Sequence, residues 1–436
     1  MIPTVEIQNG DCLELLRAMP GNSVHMVVTS PPYYGLRSYG IPPTKWADGT
    51  ECCLGWEPTV AEFIAHLVEI FDEVHRVLRP DGTCWVNMGD SYAGKPGGGQ
   101  GGGGAMFTRS VTKARDEAGK AMFNAEGEQA RARESQGKGW LKPKQMMGVP
   151  WRMAFALQDA GWYLRSEIIW SKPNPMPEST KDRPCKSHEH IFLLSKRAAY
   201  YYDAEAVKVP VSGTANSRGK GTGKKHSGVG FGHGTDTDKR SRGRIKNHAQ
   251  WSEAHTLMFS TRNLRTVWPI TTQSCKDAHF ATFPKKLAET CILAGTSAGG
   301  CCHACGKPFS RVIENGKPDL AHQRASGGNA AGEYHGEATK DYLLAGAQDA
   351  SATKARILAG MVEKKTVGWI PTCKCENPQP VPPIVLDIFG GSGTTGMVAI
   401  ENGRSAILME LSGEYVEIAK RRTNVTPSLN LRESKP

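Results

Sequence analysis

Two apolar runs, each entering a loop with unusual backbone chemistry, constrain this chain more than any other feature, and they lie near its opposite ends. Val24 to Thr29 leads into Ser30-Pro31-Pro32-Tyr33, and Ile384 to Asp387 leads into Ile388-Phe389-Gly390-Gly391-Ser392-Gly393-Thr394-Thr395-Gly396. The two prolines forbid continuation as helix or central strand and stiffen the turn. The glycines let the backbone approach a ligand closely and make positive φ angles accessible. Each loop therefore reads as the end of a buried strand at a place where something binds.

The intervening pattern supports a parallel sheet. Val5 to Asp11 reads as a short strand and turn, and Leu13, Leu16 and Met19 keep helical spacing after it. Val60, Ile64, Leu67, Phe71, Val74 and Leu78 mark an amphipathic helix that Pro80 and Gly82 are expected to stop, with a strand over Thr83 to Met88. Further on, a helix is expected near Pro150 to Ala160, strands over Tyr163 to Ser171 and His190 to Ser195, and an irregular loop over Lys172 to Pro177. A helix over Phe283 to Ala294 follows. The C-terminal part reads as strand Ile384 to Asp387, helix Thr395 to Glu401, strand Ala406 to Leu411 and helix Gly413 to Arg422. Strands alternating with helices in this way imply an α/β fold.

With 436 residues the chain exceeds one average domain, which suits a catalytic domain carrying inserts. No stretch approaches the roughly 20 apolar residues that span a bilayer, and the N-terminus lacks a basic-then-apolar secretory pattern, so a cytoplasmic protein is expected. The formal net charge is +11, and between Lys208 and Gln250 ten Lys and Arg residues face only Asp236 and Asp238. That distribution fits a polyanionic partner. Gly94 to Gly104 holds eight glycines in eleven residues and reads as a flexible insert. Twelve cysteines without a secretion signal argue against a disulfide framework. Four of them, in Cys302-x-x-Cys305 and Cys373-x-Cys375, have spacing compatible with tetrahedral zinc, with Cys301 and His303 as substitute ligands.

On residue chemistry alone the glycine loop has competing readings. Gly393-Thr394-Thr395 lacks the lysine that a phosphate-binding P-loop requires. A dinucleotide site and an S-adenosylmethionine site both place an acid at the end of the next strand for ribose hydroxyls, and Glu410 would serve either.

Taken together, Thr29 to Tyr34 and Leu386 to Gly396 resemble the base pocket and cofactor loop of DNA amino-methyltransferases, and the pocket's position roughly 350 residues ahead of the loop resembles the circularly permuted beta class of bacterial and phage enzymes. The resemblance implies a Rossmann-like, S-adenosylmethionine-dependent fold. It implies that Gly390, Gly391, Ser392 and Gly393, with Asp387, Phe389 and Thr394 beside them, line the methionine part of the cofactor. It further implies that Glu410 holds the ribose, that Asp11 lies near the adenine amino group, and that Phe280 and Phe283 pack against the methionine moiety. Cysteine-bearing inserts before the cofactor loop also occur in the family, which supports structural Zn2+ on Cys302, Cys305, Cys373 and Cys375.

Ser30, Pro31, Pro32 and Tyr33 are the expected catalytic residues, for a chemical reason. An exocyclic amine is a poor nucleophile because its lone pair is delocalised into the ring. The Ser30 hydroxyl and the Pro31 carbonyl can accept its two N–H groups, favouring a pyramidal nitrogen, while Tyr33 offers a face to an extruded base. Methylation at cytosine carbon 5 needs a nucleophilic thiol instead; Pro184-Cys185 is the sole Pro-Cys pair, and its surroundings resemble an amino-methyltransferase segment. In the family Ser at position 30 is commoner among enzymes acting on cytosine N4, and Asp or Asn among those acting on adenine N6. The rival readings are methylation of RNA or of protein glutamine, whose enzymes usually carry the cofactor loop first, and a DNA-binding zinc protein without catalysis.

The expected organisation is catalytic segments at 1–94, 146–204, 266–300 and 381–425, a Gly-rich insert at 95–145, a basic target-recognition region at 205–265, a zinc insert at 301–380 and a tail at 426–436. Double-stranded DNA is the expected partner. Dimerisation is frequent in the family, and the chain is expected to act alone or beside a separate cognate restriction endonuclease.

Overall fold

A computed structural model of the chain describes residues 2–35, 43–93, 141–210, 261–273, 283–315 and 364–423. Phe280, the glycine-rich stretch 94–104, the basic stretch 211–260 and the tail 426–436 lie outside them. The chain divides into a larger unit, 1–206 with 265–310 and 370–436, and a smaller one, 207–264 with 311–369. In the smaller unit the described residues include an antiparallel pair of Val209–Pro210 with Thr261–Arg262, and Arg311 stacks over Trp369 at 4.5 Å.

The larger unit is built on an eight-stranded sheet. In chain order its elements are β1 (Val5–Asn9), α1 (Cys12–Ala18), β2 (Val24–Thr29), α2 (Val60–Val77), β3 (Leu78–Met88), α3 (Val149–Asp159), β4 (Tyr163–Ser171), β5 (His188–Ser195), β6 (Val267–Pro269), α4 (Lys285–Gly295), β7 (Ile384–Asp387), α5 (Thr394–Glu401), β8 (Ser405–Glu410) and α6 (Gly413–Thr423). The spatial order is β1-β8-β7-β2-β3-β5-β4-β6. Five strands, β1 to β3 across the sheet, run parallel, and β5 is antiparallel to both β3 and β4. The α/β sheet read from the alternation is therefore present, with the strand that bears the proline loop directly beside the strand that bears the glycine loop.

Helices cover both faces, which explains why β2 is apolar almost throughout. Val27, Val86 and Leu386 point into a core shared with Leu13 and Leu16 of α1, Phe63, Leu67 and Phe71 of α2, and Met153 and Leu157 of α3. One residue out of phase, Met26 and Thr83 face the other way and meet Gly295 at the end of α4, where an added Cβ would lie 2.7 Å from Thr83 Oγ1. α2 starts with a reciprocal cap: Thr59 Oγ1 accepts from Glu62 N at 3.2 Å and Glu62 Oε2 from Thr59 N at 3.0 Å.

The strand after α2 differs from expectation. It begins at Leu78 and not at Thr83, because Val24 pairs with Leu78 and Met26 with Thr83, so β3 carries an irregularity over Arg79–Gly82 that the strand absorbs without ending. Pro80 and Gly82 thus stop the helix, as expected, while leaving the strand continuous. β5 starts at His188, two residues early, because β4 extends far enough to pair Ser171 with it. Among the elements without a signal in the sequence are the hairpin Thr44–Lys45 with Glu51–Cys52 and the three-residue edge strand β6.

Phe71 is completely buried in the α2 core. Phe71→Ala should therefore cost about 3–5 kcal/mol, read as a lower urea midpoint.

Candidate active site at the ends of two neighbouring strands

Open α/β sheets bind ligands beyond the carboxyl ends of their strands, where the strand order reverses. Here that point lies between β7 and β2, since the chain proceeds from β7 outward to β8 and from β2 in the opposite direction to β3. Both special loops leave from it.

A single carboxylate ties them together. Asp387, at the end of β7, accepts from the Thr29 hydroxyl at 2.8 Å with one oxygen and from the Thr395 hydroxyl at 2.6 Å with the other, and the Phe389 N–H adds a third bond at 3.1 Å. Thr29 immediately precedes Ser30, and Thr395 lies in the first turn of α5. Asp387 is 1 % exposed. Its carboxylate therefore serves the protein's own loops. Burial pushes it up to about 6 even though the Thr395 and Thr29 hydroxyls and the Phe389 N–H favour the ionised form.

The glycine loop has a distinct reason for each glycine. Gly391 and Gly393 have φ of +50° and +80°, in the left-handed region. At Gly393 a Cβ would also stand 2.9 Å from Ala419 Cβ of α6, and at Gly390 one would stand 3.0 Å from Leu408 Cβ. Glu410 closes the loop from below: one carboxylate oxygen accepts from Gly391 N and the other from Ser412 N, both at 2.8 Å. Burial pushes its carboxyl above the ordinary carboxylate range while those backbone N–H groups oppose the rise. Ser392 and Thr394 are buried against Arg422, whose guanidinium reaches the Ser392 carbonyl at 2.6 Å, the Ser392 hydroxyl and the Thr394 hydroxyl. Thr29 and Arg422 stand in the sequence only as the start of the proline-loop segment and the end of the last helix, with no individual role, because their partners Asp387, Ser392 and Thr394 lie far along the chain.

Asp11 lies on the same edge, since Asn9 of β1 registers with Glu410 and Gly10 N donates to the Glu410 carbonyl. It caps α1, accepting from Leu13 N at 2.8 Å, and its other oxygen accepts from the Thr44 hydroxyl at 2.7 Å. Phe283 is half-buried just before α4.

The proline loop is held from behind. Tyr34 is 1 % exposed, donates to the Glu57 carbonyl at 3.1 Å and packs on Phe63, while Gly35 N donates to the Gly55 carbonyl at 2.8 Å. Pro31 is buried, whereas Ser30, Pro32 and Tyr33 are half-exposed. The loop thus follows the strand directly beside the one that bears the glycine loop.

The cysteine pairs also converge. The sulfurs of Cys302, Cys305, Cys373 and Cys375 all lie within 4.8 Å of one another. Cys301 and His303 turn elsewhere: Cys301 Sγ contacts the Val381 carbonyl at 3.3 Å, and His303 Nδ1 accepts from Gln379 N. Backbone N–H groups of Cys305 and Ala304 pull the Cys302 thiol down to about 6, while hydrogen bonds with Cys305 and Cys373 push the Cys375 thiol up to about 12. The turn at Gly306, φ +69°, is docked on the sheet by Arg79, which donates to the Cys305 carbonyl at 2.7 Å, and by His25, whose ring bonds the Gly306 carbonyl at 3.1 Å.

Comparison with known proteins follows the same geometry. A family described as DNA methylase matches residues 24–302 and 381–421, a split that leaves out most of the cysteine-bearing insert. The type II methyltransferase M.Cfr9I of Citrobacter freundii is 41 % identical over 290 residues, 66 % of this chain and 72 % of that protein. The type II methyltransferase M.SmaI of Serratia marcescens is 38 % identical over 291 residues, 67 % of this chain and 75 % of its own. Among solved structures, the cytosine-N4-specific PvuII DNA methyltransferase aligns with a TM-score of 0.46 at 15 % identity over 98 % of this chain and 89 % of that one.

The raised Asp387 carboxyl makes a signed prediction. The folded state holds this proton more tightly than the unfolded chain, so its contribution to stability is fully present below the unfolded value near 3.8 and is lost as pH rises through about 6. Asp387→Asn has no such dependence. Urea unfolding of both proteins at pH 4 and pH 7 should show the variant gaining on the wild type by about 2–3 kcal/mol between the two.

Proposed function

This chain belongs to the N6/N4 DNA methylase family, and we propose that it transfers the methyl group of S-adenosylmethionine to the N4 amine of a cytosine turned out of double-stranded DNA. The observation that carries this reading is the pairing of the two loops on adjacent parallel strands through Asp387.

The residues then divide the work. Gly390, Gly391 and Gly393 leave room for the cofactor's amino-acid part at the start of α5, where backbone N–H groups favour a carboxylate. Glu410, beside Gly391, is the residue for the ribose hydroxyls, and Asp11 and Phe283 border the same edge. When bound, the cofactor supplies an electrophilic methyl group on sulfur. Ser30 Oγ and the Pro31 carbonyl accept the two N–H groups of the target amine, which restores its lone pair and directs it toward that methyl, and Tyr33 stacks on the base. Positioning dominates, since direct displacement needs no covalent enzyme intermediate. Ser at position 30 supports cytosine over adenine.

The four-sulfur cluster fits zinc. Tetrahedral Zn–S bonds of about 2.3 Å place sulfurs about 3.8 Å apart, within the observed limit, and a site with four protein ligands is structural. The basic region 205–265 is the proposed DNA-recognition segment, and the type II naming of the relatives supports a separate endonuclease as the functional counterpart.

Three outcomes are expected. Unmethylated genomic DNA incubated with the protein and S-adenosylmethionine, then digested to nucleosides, should yield N4-methylcytosine by mass spectrometry; N6-methyladenine would overturn the base, and no modified nucleoside would overturn the reading. Ser30→Ala should lower the methylation rate by about 100-fold or more while cofactor binding by calorimetry persists. Purified protein should hold one zinc per chain by elemental analysis, and Cys375→Ser should lose it along with several degrees of melting temperature.

A further inference from the structure

A partly buried ion pair stands behind the base loop, unused by the chemistry above. Lys172 Nζ bonds Glu189 Oε1, with the two side chains 19 % and 14 % exposed. The other Glu189 oxygen accepts from the Tyr33 hydroxyl at 2.7 Å and from Asn87 Nδ2 at 2.9 Å. Asn87, 4 % exposed on β3, also brings Nδ2 to 3.0 Å from the Tyr33 oxygen and 3.5 Å from Ser30 Oγ. Its Oδ1 is buried without a hydrogen-bond partner.

An orphaned buried carbonyl is unfavourable and demands a cause. Rotating the amide would not relieve it. The carbonyl would then face the Glu189 carboxylate, the Tyr33 oxygen and the Ser30 oxygen, all of them acceptors in the present arrangement, so the negative charge on Glu189 holds the amide as it stands. Burial is the largest single influence and works to raise Glu189, but the Lys172 ammonium together with the hydrogen bonds from Lys172, Tyr33 and Asn87 outweighs it and holds the carboxyl below its ordinary range. The ring of Tyr33 is confined at a second point, because it lies on Gly89, where a Cβ would stand 2.5 Å from Tyr33 Cε2. Tyr33 is thus tethered at its hydroxyl and pressed along its edge, and its proton is spent on Glu189.

We propose that Glu189, paired with Lys172, is the positioning residue of the base pocket: it fixes the stacking face of Tyr33 directly and the amide beside Ser30 through Asn87. This rests on the reading of Ser30 to Tyr33 as that pocket. A pocket that must accept a flipped base gains from a pre-set ring, since ordering it at the moment of binding would oppose the transfer step.

The test is single-turnover methylation of genomic DNA by the full chain, with cofactor affinity by calorimetry and melting temperature measured on every variant. Glu189→Gln should slow methyl transfer about 10- to 100-fold, the range of one lost hydrogen bond to a charged group, with cofactor affinity unchanged. Tyr33→Phe should lose as much, the double variant should be no worse than the poorer single one, and Glu189→Asp should restore part of the rate. Gly89→Ala, which crowds the ring without altering charge, should also slow transfer. A wild-type rate for Glu189→Gln, multiplicative losses in the double variant, or a loss that merely tracks weakened cofactor binding and melting temperature would each overturn the proposal. If Glu189→Gln does not fold, Tyr33→Phe decides alone, and a wild-type rate there overturns it. Failure of the pocket reading itself looks different: Ser30→Ala and Tyr33→Ala would both methylate at the wild-type rate.

Discussion

The site depends on the hydrogen bonds that the buried Asp387 carboxylate makes to Thr29 and Thr395. β2 and β7 are distant in the chain and adjacent in the sheet. Their backbone pairing sets which strands are neighbours, yet it leaves the loops beyond the strand ends free to diverge. Asp387 removes that freedom by accepting from the residue before the proline loop and from the first turn of the helix after the glycine loop. A buried carboxylate loses its hydration, and burial accordingly pushes the Asp387 carboxyl above its ordinary range. The protein tolerates it because two hydroxyls and a backbone N–H converge on the group, which turns a desolvated charge into a rigid joint.

Around that joint, polar groups are used mainly to hold loops and only secondarily to face solvent. Glu410 braces Gly391 and Ser412, Arg422 braces Ser392 and Thr394, and Tyr34 anchors the proline loop to the carbonyl of Glu57. The glycine loop therefore combines left-handed turns with close approach to α6 and β8, so its glycines are required by its own packing as well as by any ligand. The network of Lys172, Glu189 and Asn87 behind Tyr33 follows the same logic one layer further out.

The cysteine insert is joined to the sheet by the same kind of bond. His25 lies on β2, and its ring accepts from Ile384 N at the start of β7 while bonding the Gly306 carbonyl beside Cys305. Burial, with Arg79 nearby, pushes His25 down to about 4, so it is neutral and bridges as one donor and one acceptor. One side chain thus spans both site-bearing strands at their entry ends, and Asp387 spans them at their exit ends.

Most of the larger sheet's long strands and helices were legible along the chain. Alternating apolar runs specified strands and helices because burial on a two-residue or 3.6-residue period leaves a pattern that composition cannot hide. Ser30-Pro31-Pro32-Tyr33, the glycine loop and the paired cysteines were legible because proline, glycine and cysteine have chemistries few neighbours can mimic. The two missing sheet features, β6 and the early start of β5, were invisible because three residues carry no period and strand ends follow the partner's length. Only the tertiary structure decided that Asp387 turns inward to Thr29, that Arg422 and not a loop residue supports Ser392, and that Glu189 and Asn87 stand behind Tyr33. Each of those contacts joins residues tens to hundreds of positions apart, so no window along the chain contains both partners. Hydrogen-bond geometry of this kind exists only once the sheet order has brought the strands side by side.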